Sequence, residues 1–246
     1  MAKHFFCIAI ICFTALLTGC EVILFDDLSE TEQLMVSSEC FKHIVITNSF
    51  DIVLKQQDDF SVTIDAPVEL HDGVKVSIVN DTLTISDTNK FQWSPSYIIP
   101  RVTFSFPNLP SIYVKAPVNI QTDGILKQST FRILTTAHTG SINLNIDVTS
   151  LSITTGHTYD SGVFTVTGQA GNASFWMRNS ASLNAIDLDS DNVRITNNSR
   201  GDSYVRSNSK LRVTINSYGN VYYSGNPSEI VIEEQSSTGE LIPLNP

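Results

Sequence analysis

The sequence predicts an all-β fold, a solenoid of stacked single-stranded β-coils, and three observations predict it. One phrase, an apolar-x-apolar strand followed by a small polar turn and a second short strand, starts near Phe131, Leu151, Ala173, Val193 and Leu211, and Ile230 opens a truncated sixth copy. The steps are 20, 22, 20, 18 and 19 residues, and a repeat this short cannot bury its apolar side unless copies stack. Within each copy apolar and polar residues alternate, the period of a strand with one buried face. Helical periodicity is nearly absent throughout.

Taken in chain order, the first twenty residues read as an export signal. Lys3 and His4 precede an apolar run from Phe5 to Leu17, too short to span a bilayer as a permanent helix but suited to a signal-peptide core. Leu17-Thr18-Gly19-Cys20 resembles a bacterial lipobox. That resemblance implies cleavage before Cys20, lipidation of its thiol (palmitate) and new amino group, and an outer-membrane lipoprotein facing the periplasm or the outside. Residues 20–40 follow as a lipidated Cys and acidic tether carrying Asp26, Asp27, Glu30 and Glu32, with a short amphipathic helix around Leu28 to Val36 as one option.

The domain proper is assigned to 41–246, with N-terminal strands and a loop over 41–100 and coils plus a C-terminal cap over 101–246. Strand signals run through Ile44-Val45-Ile46, Phe50 to Leu54, Phe60 to Ile64, Val74 to Ile78 and Thr82 to Ile85, separated by the turn formers Asn-Ser, Gln-Asp-Asp, His-Asp-Gly and Asn-Asp. Asn89 to Pro100, with Phe91, Trp93, Tyr97 and two prolines, breaks the rhythm and is expected to cross the end or side of the sheet. Pairing resumes at Arg101, and Ile112-Tyr113-Val114 opens the first full coil. In the repeats, Ile133, Ile153, Ile195 and Val213 are expected to line up one above another. Gly140, Gly156, Ser180, Gly201 and Gly219 mark sharp turns, where glycine tolerates positive φ. The final stretch, Glu233-Glu234 through Pro243 and Pro246, is charged and proline-bearing, as a last coil needs to be if its open edge is not to invite strand addition.

The formal charge is −10, and −11 once Lys3 leaves with the signal, so a phosphate backbone is repelled and nucleic acid is not an expected partner. Of four cysteines, Cys7 and Cys12 lie in the signal and Cys20 is the lipid site, leaving Cys40 alone. There is no disulfide framework.

Several phrases resemble the head GIN domain family, described as auto-transporter adhesins and common among lipoproteins of Bacteroides-like bacteria. Phe50-Asp51-Ile52-Val53-Leu54 is similar to its early Phe-Asp-Val strand, and Asp81-Thr82-Leu83-Thr84-Ile85 to its turn and Leu-x-Ile. Phe106-Pro107-Asn108-Leu109 resembles its Pro-x-Leu lead-in, and Tyr223-Ser224-Gly225-Asn226-Pro227 its closing Tyr-x-Gly-x-Pro. The family's Ser-Gly-Ser-Gly turns are degenerate here. The resemblance implies a right-handed single-stranded β-helix with a strand-rich N-terminal part, and it carries over no catalytic residue.

Candidate chemistry is sparse. Asp187, Asp189 and Asp191 fall on one strand face, a weak partial shell for calcium, which wants six to eight oxygens; the same string also solvates a polar turn. Asp160 and Asp187 lie about one coil apart, the weak basis for a polysaccharide-active enzyme, which needs two carboxylates flanking a groove. His138 and His157 occupy equivalent turns but lack a third ligand. Arg200-Gly201-Asp202 spells a cell-attachment tripeptide, and Gly-Asp is also ordinary turn chemistry. Arg194 and Arg212, with Arg132, share an outward position beside the apolar column, from which they either contact an anionic glycan or pair with acidic neighbours. Trp176 points opposite to Phe175 and Met177, and with Tyr159, Tyr218 and Tyr222 it supplies aromatic faces suited to sugar rings or protein partners, or to stacking between coils. No cofactor is expected. The reading is therefore a non-catalytic, lipid-anchored envelope protein binding a glycan, a surface or a protein. The rivals are the polysaccharide-active enzyme and a structural protein whose open coil ends stack into homo-oligomers.

Overall fold

A computed structural model of the chain describes residues 30–37, 39–90, 92, 97–137, 140–156 and 161–244. The signal peptide, Cys20, Phe91, Trp93, His138, His157, Tyr159 and Asp160 lie outside them. The described chain is a single-stranded β-helix of about six turns, nearly all strand.

The coils close around three walls. The front wall stacks β6 (Thr82–Asp87), β2 (His43–Ile46) and β8 (Ser111–Val114). It continues through the C-terminal halves of β10 (Leu126–Thr135) and β11 (Ser141–Thr155), the middle of β12 (Ser161–Ala185), and β13 (Leu188–Ser199), β15 (Lys210–Ile215) and β17 (Glu229–Gln235). The back wall holds β7 (Arg101–Phe106), β3 (Phe50–Gln56), β9 (Val118–Asp123) and the first residues of β11 and β12. In later coils it passes to the end of β12, β14 (Ser203–Arg206), β16 (Val221–Ser224) and β18 (Leu241–Pro243). A side wall is built from the first half of β10 and the stretches of β11, β12 and β13 in register with it. All these pairings are parallel, as successive turns of one coil must be.

The repeat starts read from the sequence are consecutive register partners. Phe131 pairs with Leu151, Leu151 with Ala173, Ala173 with Val193, Val193 with Leu211 and Leu211 with Ile230. Two residues on, Leu83, Ile44, Ile112, Ile133, Ile153, Phe175, Ile195 and Val213 form one inward column, each at most 2% exposed. Strand neighbours stand ~4.8 Å apart, so each aliphatic residue touches its counterparts above and below as well as the walls opposite.

The N-terminal part departs from coil geometry to seal one end. β4 (Ser61–Pro67) runs antiparallel to β7, and β5 (Val74–Val79) runs antiparallel to β6 through a hairpin in which Asn80 and Asp81 take φ of 50° and 59°. A single-turn helix, α1 (Val68–His71), joins β4 to β5 and buries Leu70. Phe41 meets the rings of Phe60, Phe104 and Phe106 edge-on at 5.2 to 6.5 Å and plugs the core. Tyr97 folds the end of the 89–100 loop back by donating its hydroxyl to buried Asp87, which also accepts the Asn89 N–H at 2.8 Å. Burial, then the Asp87 carboxylate, holds the Tyr97 hydroxyl protonated well above the ordinary tyrosine range.

Two expectations are corrected. Within the segment read as an acidic tether with an optional helix, Thr31–Ser37 is a strand, β1, antiparallel to β4. The open edge of β4 offers unpaired main-chain groups, and β1 satisfies them although it buries little, with Met35 65% exposed. The turn glycines Gly140, Gly156, Gly201 and Gly219 are not among those with positive φ. Close stacking is what requires glycine at the corner: a Cβ on Gly219 would come within 2.1 Å of the Gly201 carbonyl oxygen. Positive φ falls on other glycines, among them Gly168 at φ +103°, where a Cβ would meet the Ile146 carbonyl oxygen at 2.0 Å. The last coil presents an open edge, the situation for which the sequence reading assigned the charged, proline-bearing tail. Ile230 and Ile232 sit in inward columns but remain 42% and 50% exposed, because no further coil lies over them among the described residues. Cys40 is free and exposed.

Buried Asn197 stands where the aliphatic pattern would place another apolar residue, between Met177 and Ile215. Its Nδ2 donates to the Gly219 carbonyl at 2.9 Å and its Oδ1 accepts the Ser199 N–H at 3.1 Å, tying a corner to the coil above. Asn197→Ala leaves these backbone groups unpaired and is expected to cost about 1–3 kcal/mol. Gly168→Ala is expected to cost a similar ~1–3 kcal/mol through backbone strain and collision. Thermal melting checks both against Thr196→Ala, an outward neighbour expected to leave Tm unchanged.

Candidate functional site

Outward residues of the front wall form columns as regular as the inward ones. One runs Ser111, Arg132, Ser152, Ser174, Arg194, Arg212, and beside it the residue before each repeat start gives Thr130, Ser150, Asn172, Asn192, Lys210 and Glu229. These two columns flank the junction of front and side walls and line a trough parallel to the coil axis. Its upper cavity, about 320 Å³, is lined by Ser150, Asn172, Ser174, Asn192, Arg194, Lys210 and Arg212. A lower cavity of about 270 Å³ includes His43, Ser111, Arg132, Ser152 and the same Ser150, so the two adjoin there.

The trough floor is neutral and hydrogen-bonding. Asn192 Nδ2 donates to Asn172 Oδ1 at 3.2 Å, and His43 Nδ1 meets Ser111 Oγ at 2.7 Å. Cations mark its ends. Arg194 Nη2 reaches Glu233 Oε2 at 2.7 Å and Arg212 Nη1 reaches Glu233 Oε1 at 3.1 Å. Lys210 pairs with Glu229, and among the described residues Arg132 forms no ion pair. The Arg212 hydrogen bond, then that from Arg194, outweighs the opposing desolvation and holds the Glu233 carboxyl below the usual glutamate range.

Trp176 is outward on the same wall, two residues beyond Ser174 and 43% exposed. Its register neighbours are Thr154 and Thr196, so among the described residues it stacks on no aromatic ring from the coils beside it, and the Arg178 guanidinium lies over it at 4.7 Å. The structure thus brings Arg194, Arg212 and Trp176 onto one face. Tyr218 and Tyr222 are placed elsewhere: Tyr218 projects from the turn after β15, 66% exposed, and Tyr222 lies on the back wall. There it stacks on Tyr204, centroids 4.7 Å apart and rings 9° from parallel. The sequence reading missed Tyr204, Glu233 and the neutral ladder. Tyr204 and Tyr222 are one coil apart, and the ladder residues each precede a repeat start, so the period itself carried both signals. Nothing local marks Glu233, which reaches the arginines through a register shift in the β15–β17 ladder.

The remaining candidates are engaged in other ways. Asp189 pairs with Arg206 at 3.6 Å and accepts from Asn208 at 2.6 Å, while Asp187 and Asp191 are exposed beside it. Asp189 and Asp191 line a second, acidic trough with Asp147, which pairs with Lys127 at 3.7 Å. Among the described residues no group of three or more His, Cys, Asp or Glu is placed to hold a metal ion. In Arg200-Gly201-Asp202 the Asp202 carboxylate accepts the Asn220 N–H at 2.8 Å and Gly201 packs under the next coil, so the tripeptide is a stacked corner. No helix among the described residues is long and apolar enough to cross a membrane.

Comparison with known proteins agrees with this architecture. The sequence profile of the family described as "Putative auto-transporter adhesin, head GIN domain" matches residues 40–227. Among solved structures, a putative adhesin of Bacteroides fragilis superposes with a TM-score of 0.79 at 16% identity, covering 88% of this chain and 98% of that one. Two proteins of Parabacteroides distasonis cover the same shares. One is described as a putative adhesin (TM-score 0.62, 17% identity) and the other as a putative lipid binding protein (0.63, 15%). At these identities the likeness concerns the fold. No curated protein matches the sequence.

The lowered Glu233 value fixes the sign of a pH effect. A carboxyl whose folded value lies below its unfolded one contributes above the ordinary range and loses that contribution only as pH falls through the lowered value. Carbon-detected NMR titration of the Glu233 carboxyl is expected to give a midpoint below 4.5, and Arg212→Gln to move it back up.

Proposed function

The chain belongs to the head GIN domain family, and we propose that it is a non-catalytic, lipid-anchored envelope protein that binds a glycan along the front-wall trough. The observation that carries this reading is the pair of adjoining cavities from His43 to Arg212, floored by hydroxyls and amides, with Trp176 outward on the same wall. Its hydrogen-bonding groups recur at every rung, ~4.8 Å apart, a spacing of the order of one sugar ring. An aromatic face beside them supplies an apolar surface for a ring. The acidic trough supports an enzyme less well, because the carboxylates of Asp147 and Asp189 are each paired with a cation.

The lipid anchor at Cys20 fits the arrangement of the ends. β1 begins at Thr31 on the N-terminal edge of the stack, so an anchor eleven residues earlier would tether the protein by that end. Metabolic labelling tests this part: Cys20→Ser is expected to abolish palmitate incorporation and release the protein from the membrane fraction.

A glycan screen with the full chain tests the binding reading. Trp176→Ala is expected to weaken binding roughly fivefold, the loss of one ring contact of about 1 kcal/mol. Ser152→Trp, which fills the trough from an outward position, is expected to abolish it. Binding unchanged in both variants would sink the trough as the site.

A further inference from the structure

Resting on the trough reading above, we propose that Arg194 and Arg212, with Lys210 beside them, form a subsite for the carboxylate or sulfate of an acidic sugar, and that Glu233 is an internal stand-in for that anion. Arg194 and Arg212 are direct register partners, and Lys210 lies two residues before Arg212 on the same outward side. The two guanidiniums address different oxygens of one carboxylate, so the carboxylate bridges them through two charge-assisted contacts. Three cations line one 320 Å³ cavity, with Glu229 on Lys210 and Glu233 shared by the two arginines, which leaves one positive charge in excess on a strongly acidic chain.

Glu233 reaches this position through a slip in the last ladder. Val213 pairs with Ile232 and Thr214 with Glu234, leaving Glu233 as an extra residue bulged toward the arginines. Its side chain can therefore turn away without breaking a ladder bond. The arginine side chains are 59% and 43% exposed, and exposed ion pairs contribute little, so an external anion displaces Glu233 at small cost. Ser174 and Asn192, in the same cavity, are placed to meet ring hydroxyls, which favours a sugar acid over an acidic peptide.

Calorimetric titration of the full chain with oligogalacturonate, a neutral cello-oligosaccharide of equal length and a poly-glutamate peptide tests the assignment. Oligogalacturonate is expected to bind the wild type and to bind Glu233→Gln about fivefold tighter, since the internal competitor is gone. The Arg194→Gln/Arg212→Gln double variant is expected to lose it. Ser174→Glu, an exposed outward change that leaves the cations in place, is expected to weaken it. The Nε–H NMR signals of Arg194 and Arg212 are expected to shift on addition, a response that a purely structural ion pair does not give. Equal uronate affinity in wild type and Glu233→Gln, binding retained by the double variant, or equal binding of poly-glutamate would each overturn the proposal. Binding of the neutral sugar alone would overturn it and leave the trough reading standing, and binding of neither sugar would overturn both.

Discussion

Every feature of this molecule depends on one constraint, the in-register parallel stacking of coils that sets Ile133, Ile153, Phe175, Ile195 and Val213 one above another. Parallel pairing in register makes the column continuous, and burying the column in turn holds the register, because a slip of one residue would turn every side chain to the opposite face. The same register carries the outer surface. Since Ile195 and Val213 must align inward, Arg194 and Arg212 must align outward, and a chain with few cations acquires a paired guanidinium site without any local motif. Binding surface and core are two sides of one ladder.

This dependence explains what could be read from the amino acids alone. The starts at Phe131, Leu151, Ala173, Val193 and Leu211 proved to be direct partners because strand alternation and a period near twenty leave little freedom in how coils stack. The outward sides of Trp176, Arg194 and Arg212 followed from the same alternation. What escaped was whatever the period does not determine. β1 is held by main-chain hydrogen bonds to β4, with its side chains largely exposed, so its composition resembled a tether. Gly201 and Gly219 looked like turn residues, yet their role is to let carbonyls of adjacent coils approach, a demand that exists only after stacking. Asn197 reads as a polar intrusion until the coil above supplies the Gly219 carbonyl. Tyr218 and Tyr222 were grouped with Trp176 by residue type, but a coil with three walls separates them.

The two ends of the solenoid solve different problems. At the N-terminal end the antiparallel strands β1 and β5 break the coil geometry, and the Phe41 cluster fills the space that another coil would occupy. At the C-terminal end the inward positions Ile230 and Ile232 stay partly open, and protection falls to the edge itself. β17 carries Glu229, Glu233 and Glu234 within seven residues, and charge along an exposed edge opposes addition of another strand. Its register slip adds a second irregularity of the kind that blunts edges.

Glu233 joins these two themes. As a bulge on the last front-wall strand it irregularises an edge, and as the partner of Arg194 and Arg212 it staples that strand to the two coils beneath it. A mere staple would need only one cation on the adjacent rung. Glu233 instead spans two rungs and contacts both guanidiniums with its single charge, the arrangement that an incoming carboxylate would reproduce. Occupying the arginines in the unliganded protein also keeps the guanidiniums from repelling each other across ~4.8 Å, so the site stays assembled while empty of ligand. The edge of the fold and the selectivity of its trough therefore converge on one residue, placed there by a one-residue slip in an otherwise regular stack.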